Sequence, residues 1–443
     1  MTQGILSFIH QTQISDLPNT VIAAARYWLL DLSGVAAAGT QTDLSRIIYN
    51  YATSQLGSND ITARLLFTGR VASPTGAALA NGMCIDSIDA HDGHKLTKGH
   101  VGCGVLAGLL AFADAERSFT VDEFLTALVI GYEIGTRAGI ALHQSASDYH
   151  TSGSWVALAV AAMGARILKL DDAQTREALG IAEYHAPRSQ MMRCIDHPTM
   201  LKDGSGVGAM TGVSAAYLAK AGFTGAPAVL MDNPELTELW SDLGSNWRIF
   251  EQYFKPYPVC RWAQPSVQAV LNLREQHQLL AADVERIEVT TFHEAIRLAT
   301  RHPETTEQAQ YSTAFPAASA LVYGTLGADE ISAQSFSNPE VNRLSGSMLF
   351  SESERFNQAF PANRFASVTL HLKDGRVLNS GPTEAMGDPE QPVPLSTVIQ
   401  KFYRYALPVL GKSRTQQIEY SLTHLQGQES IIPLLDLLLM PVE

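Results

Sequence analysis

"GSGVGAMTGVSAAYLAKAG", residues 204–222, sets Gly206, Gly208 and Gly212 inside an alanine-rich pattern of helical spacing. Each such glycine costs about 1 kcal/mol against alanine in a helix unless close packing offsets it. The stretch therefore predicts a helix whose neighbours approach to backbone distance. The same texture recurs in "GVLAGLLAF" (104–112) and extends, with alanine and leucine at helical spacing, from the N-terminus to about residue 275. "SDLPNTVIAAARYWLLDLSGVAAAG" (15–39) opens on Asp16 and Pro18 and stops at Gly39, the residues that start and end helices. "SFTVDEFLTALVIGYEIGTRAGIAL" (118–142) places Thr120 and Glu123 at the capping-box spacing. These segments read as a large all-helical unit.

The pattern then changes. "VERIEVTTF" (284–292) alternates as a strand does, and "FASVTLHLKDGRVLNS" (365–380) reads as two strands joined at Asp374-Gly375. Between them, "TTEQAQYSTAFPAASALVYG" (305–324) and "ISAQSFSNPEVNRLSGSM" (331–348) read as helices. A smaller α+β domain is predicted over 268–393, with 1–267 and 394–443 forming the helical one. Overall the fold class is mainly α, and 443 residues are ample for two cores.

With 46% hydrophobic and 17% charged residues, the chain has the balance of a globular protein, not a disordered one. A net charge of −13 argues against nucleic acid or an anionic membrane as the main partner, since both reward a basic surface. Cys84, Cys103, Cys194 and Cys260 are scattered without a C-x-x-C pair, which fits a reducing compartment and a cytoplasmic location. The start, "MTQGILSFIHQTQISDLP", has no secretory pattern. The longest apolar stretches, "VALAVAAMGA" (156–165) and "IIPLLDLLLMPV" (431–442), fall short of the roughly 20 residues a bilayer takes. Core helices are expected there.

Four stretches concentrate reactive side chains. "DSIDAHDGHKLTKGHVGCG" (86–104) holds Asp86 and Asp89 on one face near a helix end, and His100 just before an apolar helix. The positive end of that helix would favour neutral imidazole, available as a base. The plain alternative is a solvated interhelical loop. Asp89, His91, Asp92, His94 and His100 are plausible metal ligands, yet their spacing matches no tight zinc signature, and Lys95 and Lys98 would repel a cation. No metal is expected.

"EYHAPRSQMMRCIDHPTMLKDGSGVGAMTG" (183–212) brings Arg188, Arg193 and Lys202 close to a glycine-rich helix start, a combination that favours carboxylates or phosphates. It matches neither a phosphate-binding nor a dinucleotide-binding loop. "FKPYPVCRWAQPS" (254–266) flanks a stiff proline segment with Lys255 and Arg261 at the expected domain junction, where ligand sites concentrate. "SASDYHTSGSW" (145–155) offers His150, a lone histidine that reads more readily as structural. There is no G-x-S-x-G elbow and no cysteine in an evidently activated setting.

Taken in order, "LLDLSGVAAAG", "ANGMCIDSIDAHD" leading to "HVG", "YHTSGSWVALAVAAMGARILKLD", "MLKDGSGVGAMTGVSAAYLAKAGFTGA", "FKPYPVCRWAQPS" and "AQYSTAFPAASALVYGTL" resemble the MmgE/PrpD family, over about residues 20–390. That family includes 2-methylcitrate dehydratase, cis-aconitate decarboxylase and iminodisuccinate epimerase. The resemblance implies a helical domain with an α+β lid, a homodimer, no metal or organic cofactor, and elimination, decarboxylation or epimerisation of small di- and tricarboxylates. By position it implies that Asp89, His100, His150 and Lys202 are catalytic and that Lys255 is a basic site residue. The lid would contribute through "AQYSTAF". Where decarboxylase-like members carry a histidine, this chain has Cys260, followed by Arg261. Their lid tyrosine falls on Phe315, with Tyr311 one helical turn earlier, and "HVG" replaces the usual "HP". These departures argue against cis-aconitate decarboxylation as the specific reaction.

The expected function is thus a cofactor-independent lyase acting on a polycarboxylate through Cα proton chemistry. Asp89 would orient His100, His100 and Lys202 would form the acid–base pair, and Arg188, Arg193, Lys255, Arg261, Cys260 and Tyr311 would contact substrate. Epimerisation on the same site, a metal-dependent hydrolase and a non-catalytic carboxylate-binding homologue are the alternatives.

Overall fold

The computed structural model describes residues 3–442, so the first two residues and the last of the expected helical domain lie outside it. The glycine-rich stretch forms the helix Ser205–Lys220. A Cβ on Gly206 would lie 2.7 Å from the carbonyl oxygen of Leu79, and one on Gly208 2.5 Å from that of Gly153. The helix is therefore clamped between Pro74–Asp86 and Gly153–Ile167 at distances that only glycine tolerates. Gly102–Glu116 and Val121–Ser145 complete the bundle, the latter starting on the reciprocal Thr120/Glu123 box.

Asn19–Gly39 packs against the returning C-terminal helix Leu395–Thr423, which is kinked at Gly411. Both Asn19–Gly39 and Val121–Ser145 are long and apolar enough to cross a bilayer, contrary to the expectation from sequence. They are core helices here: 72% and 100% of their apolar windows are buried. Their length was hidden by interior charges that the fold pairs. Arg137 meets Glu133 at 2.5 Å and Asp242 at 2.7 Å, and Asp31 meets Lys401 at 2.7 Å.

The four-stranded sheet has the order Leu349–Glu352, Val284–Thr291, Ala366–Leu372, Val377–Asn379. The first pair is parallel and the others antiparallel, with the expected Asp374-Gly375 turn joining the last two. Alternate residues of Ala366–Leu372 are buried, and Val368, Leu370 and Leu372 join a second core with residues of Gln264–His277 and Ala314–Tyr323. That core also takes in Tyr257, Val259, Cys260 and Cys194. Two short ribbons interrupt the helical part: Ala63–Arg64 with Val71–Ala72, and Gly93–His94 with Gln252–Tyr253. The fold is mainly helical with small sheets. A polar seam runs where the two cores meet, with Ile88 and Ala90 in the first and Cys260 and Tyr311 in the second.

Candidate active site

Ser73 caps the helix Pro74–Asp86, and the chain then leaves it to form a loop whose polar side chains turn inward. Asp86, Asp89, His91, Asp92, His94 and His100 are all buried, so the stretch is not a solvated loop. Burying this many ionisable groups is tolerable only if they satisfy one another. Lys255 Nζ bonds Asp89 Oδ1 and lies 3.0 Å from the Asp89 carbonyl. His91 Nε2 donates to Asp86 Oδ1 at 3.2 Å. Lys401 Nζ donates to the carbonyl of Ala90 at 2.6 Å.

Asp89 does not orient His100 by a hydrogen bond. The His100 Nε2 to Asp89 Oδ1 distance is 3.7 Å, and His100 Nδ1 donates instead to the Asp92 carbonyl at 2.5 Å. That bond commits Nδ1 as donor and leaves the Nε2 lone pair free, 3.8 Å from Asp203 Oδ2. Burial, together with Lys255 and His91, holds His100 well below its ordinary pKa. Its imidazole is thus held neutral, first by burial and then by the neighbouring cations. Burial acts to raise Asp89, but Lys255 and Lys202 hold it well below the carboxylate range.

Lys202 has a left-handed backbone, φ +50°, in the turn before Ser205–Lys220. It is 2% exposed, and its Nζ bonds the side-chain oxygen of Gln310 and stands 4.7 Å from the centre of the Tyr311 ring. Among the described residues no carboxylate lies within ion-pair distance of it. The Gln310 side chain is itself fixed, accepting from Asp89 N–H at 3.0 Å and donating to the Ser87 carbonyl at 3.0 Å. Gln310 thus ties the smaller unit to the loop after Pro74–Asp86 and to Lys202. Beside Lys202 a cavity of about 350 Å³ is lined by Arg193, Cys194, His197 and Thr199.

The sequence reading did not single out Asp203, Ser152 or Gln310. Ser152 Oγ donates to Asp203 Oδ2 and accepts the backbone N–H of His100 at 2.8 Å. Burial, then the charges of Asp86 and Asp89, pushes Asp203 up to about 7. All three lay within quoted stretches, each within two residues of a chosen neighbour or in the lid motif. The signal available was a polar side chain beside a glycine-rich or apolar helix start.

Other expected residues fall elsewhere. His150 is half-buried, with Nδ1 bonded to the Asp148 carbonyl at 2.9 Å and its ring facing His143. Arg188 is exposed, and Arg193 is exposed at the cavity. Arg261 is buried with its Nη donors taken by Gln264 Oε1 (2.9 Å), the carbonyls of Met386 and Ala385 (3.0 Å each) and Asp388 Oδ1 (2.6 Å). It holds the 385–388 loop and has no free edge for a substrate. Cys260 is buried within the field of Asp89 and Lys255, its thiol pushed up to about 12 by burial and Asp89. Tyr311 is in the site, whereas Phe315 packs on Phe336 in the second core. Lys95 pairs with Asp388 at 3.3 Å and Glu390 at 2.7 Å, and Lys98 lies over the Tyr149 ring at 4.4 Å.

Asp89, His91 and His100 bring one ligand atom each within 4.8 Å of one another. The geometry would admit a cation, but Lys255 occupies Asp89 and His91 is committed to Asp86. Cys103 and Asp86 raise His91 well above its ordinary pKa against the effect of burial, so it favours a proton over a metal.

Residues 3–243 match the MmgE/PrpD N-terminal domain and residues 257–425 the MmgE/PrpD C-terminal domain. The cis-aconitate decarboxylase-like protein oryM of Aspergillus oryzae is 23% identical, covering 99% of this chain and 97% of its own length. The mitochondrial 2-methylcitrate dehydratase of Yarrowia lipolytica is 23% identical over 86% of this chain and 78% of its own. With both domains matched in order across the polar seam, the chain belongs to the MmgE/PrpD family.

Proposed function

We propose that this protein is a lyase that removes a proton next to a carboxylate of a small di- or tricarboxylate and expels a leaving group, most simply hydroxide in a dehydration. One observation carries the reading: Lys202 is a buried amine whose hydrogen bond goes to a neutral amide, beside a cavity, and the Asp89 carboxylate feels both Lys202 and His100. A buried amine with no carboxylate at ion-pair distance is satisfied by an anionic ligand.

In this reading the substrate carboxylate binds Lys202, with Arg193 at the cavity's edge. His100 Nε2 takes the Cα proton, and the electron pair moves into the carboxylate as an enediolate stabilised by Lys202 and Lys255. Asp203, poised near neutrality, gives its proton to the departing hydroxyl. Substrate carboxylate, base and acid would then share one dry seam, where electrostatic stabilisation is strongest. The family relationship, the acidic charge and four unpaired cysteines support a cytoplasmic homodimer working without cofactor, with residues 268–393 closing as a lid.

Incubation with a panel of hydroxy- and unsaturated polycarboxylates in D₂O, followed by NMR, tests the reading. Deuterium at Cα or an unsaturated product is expected from the wild type. Lys202→Met and His100→Gln should each lower the rate by about 10² to 10⁴. A wild-type protein that neither binds nor exchanges any member of the panel overturns the function, and unchanged rates in both variants overturn the assignments. Deuterium returned with inversion and without elimination would identify an epimerase. Activity that depends on a stoichiometric, EDTA-removable metal would favour the cluster at Asp89, His91 and His100 instead.

A further inference from the structure

Arg364 lies in the connection between the helix Glu354–Ala359 and the strand Ala366–Leu372, and it is 3% exposed. Its Nε and Nη1 find no hydrogen-bond acceptor among the described residues. A buried guanidinium with idle donors is costly, so its surroundings show what it awaits. The guanidinium carbon stands 5.3 Å from the centre of the Tyr253 ring. That ring presses on the catalytic loop: a Cβ on Gly93 would lie 2.4 Å from the Tyr253 hydroxyl oxygen. Arg364 is therefore one aromatic ring away from the loop that carries Asp89 and His100.

The acids nearby are already engaged. Asp388 is shared by Arg261 at 2.6 Å and Lys95 at 3.3 Å. Glu384 accepts the backbone N–H of Arg364 and the Asn363 amide, each at 3.2 Å. Cations stand close as well. Lys98 has its pKa lowered by burial and by Arg364, and Arg261 shares the Tyr253 ring at 5.0 Å. The field of Arg364 also reaches the Cys260 thiol, which feels Asp89 and Lys255 in turn. Arg364 thus stands beside other cations, with Tyr253 between it and the loop of the site.

We infer that Arg364 is a second carboxylate-recognition point, donated by the smaller unit, that takes a carboxylate remote from the one bound by Lys202 and so selects tricarboxylates over dicarboxylates. The inference rests on the polycarboxylate reading above and specifies its substrate class. Arginine suits the task because its charge persists when buried and its planar donors match a carboxylate. Such a contact reports chiefly on affinity, not on the chemical step.

Calorimetric titration with tricarballylate and glutarate, which differ by one carboxylate, tests it on the wild type, Arg364→Gln and Arg364→Lys. Wild type should bind tricarballylate about 10- to 100-fold more tightly, Arg364→Gln should lose that preference while holding glutarate as before, and Arg364→Lys should keep part of it. Thermal melts of the same samples establish that the variants are folded, and Arg364→Lys serves if the glutamine variant is not. An undiminished preference in a folded variant overturns the inference, as does equal weakening of both ligands. If wild type binds both ligands but shows no preference, only the role of Arg364 falls. If it binds neither, the polycarboxylate reading falls with it.

Discussion

Lys202 and Asp203 are adjacent in the chain and have opposite problems when buried. Lys202 reaches Gln310 from a left-handed backbone, a conformation that residues other than glycine adopt at a cost and that concentrates at functional sites. Asp203 pays for its burial by holding on to a proton. Its pKa rises from the ordinary 3.8 to about 7, and Asp92 rises to about 6, both chiefly through burial. Between the unfolded and folded values the native state binds a proton that the unfolded chain has released, so stability falls as pH rises through that window. Asp203→Asn should therefore flatten the decline in melting temperature between about pH 4 and pH 7, while wild type declines more steeply. The comparison isolates Asp203, since Asp89, held low, contributes in the opposite direction and is common to both proteins. The burial of Asp203 was not legible in the sequence, because a carboxylate in a "KDG" turn is ordinarily solvated.

At the scale of elements, the site depends on how closely Ser205–Lys220 seats against Pro74–Asp86, since Lys202 and Asp203 stand in the turn just before the first and Asp86 ends the second. A Cβ on Gly82 would lie 2.7 Å from Gly206 Cα, a clash with backbone that no rotamer relieves. Gly82→Ala should destabilise the fold by about 1–3 kcal/mol in chemical denaturation and lower turnover as well, because the two helix ends must separate. An alanine variant as stable as wild type would show that the helices can slide apart freely. The elements themselves were legible: the Thr120 cap, the Gly39 stop and the Asp374-Gly375 turn all stand where local chemistry put them. The strand Leu349–Glu352 was not. It is short and largely exposed, and only its parallel pairing with Val284–Thr291 makes it a strand.

At the scale of the whole molecule, the two cores are stitched at the seam by Lys255 on Asp89, Gln310 on Lys202 and Arg261 on the 385–388 loop. Arg261→Gln should cost about 3–5 kcal/mol, as breaking a buried charged pair does, and should speed amide hydrogen exchange in 385–388 before any other segment. Uniform loss of protection would mean that Arg261 supports the fold as a whole. The sequence by itself determined the helical texture, the hairpin, the family and the stretches that hold the site, because caps, turns and glycine-rich packing faces are local and periodic. It did not determine which charges meet. Arg261 lies six residues from Lys255, yet one is spent on a loop and the other on Asp89. Asp89 and Lys255 are separated by 166 positions, and Lys202 and Gln310 by 108. Only tertiary structure decides such pairings, because burial strips water from every charge in the seam and each must then find its partner among whatever the two cores bring together.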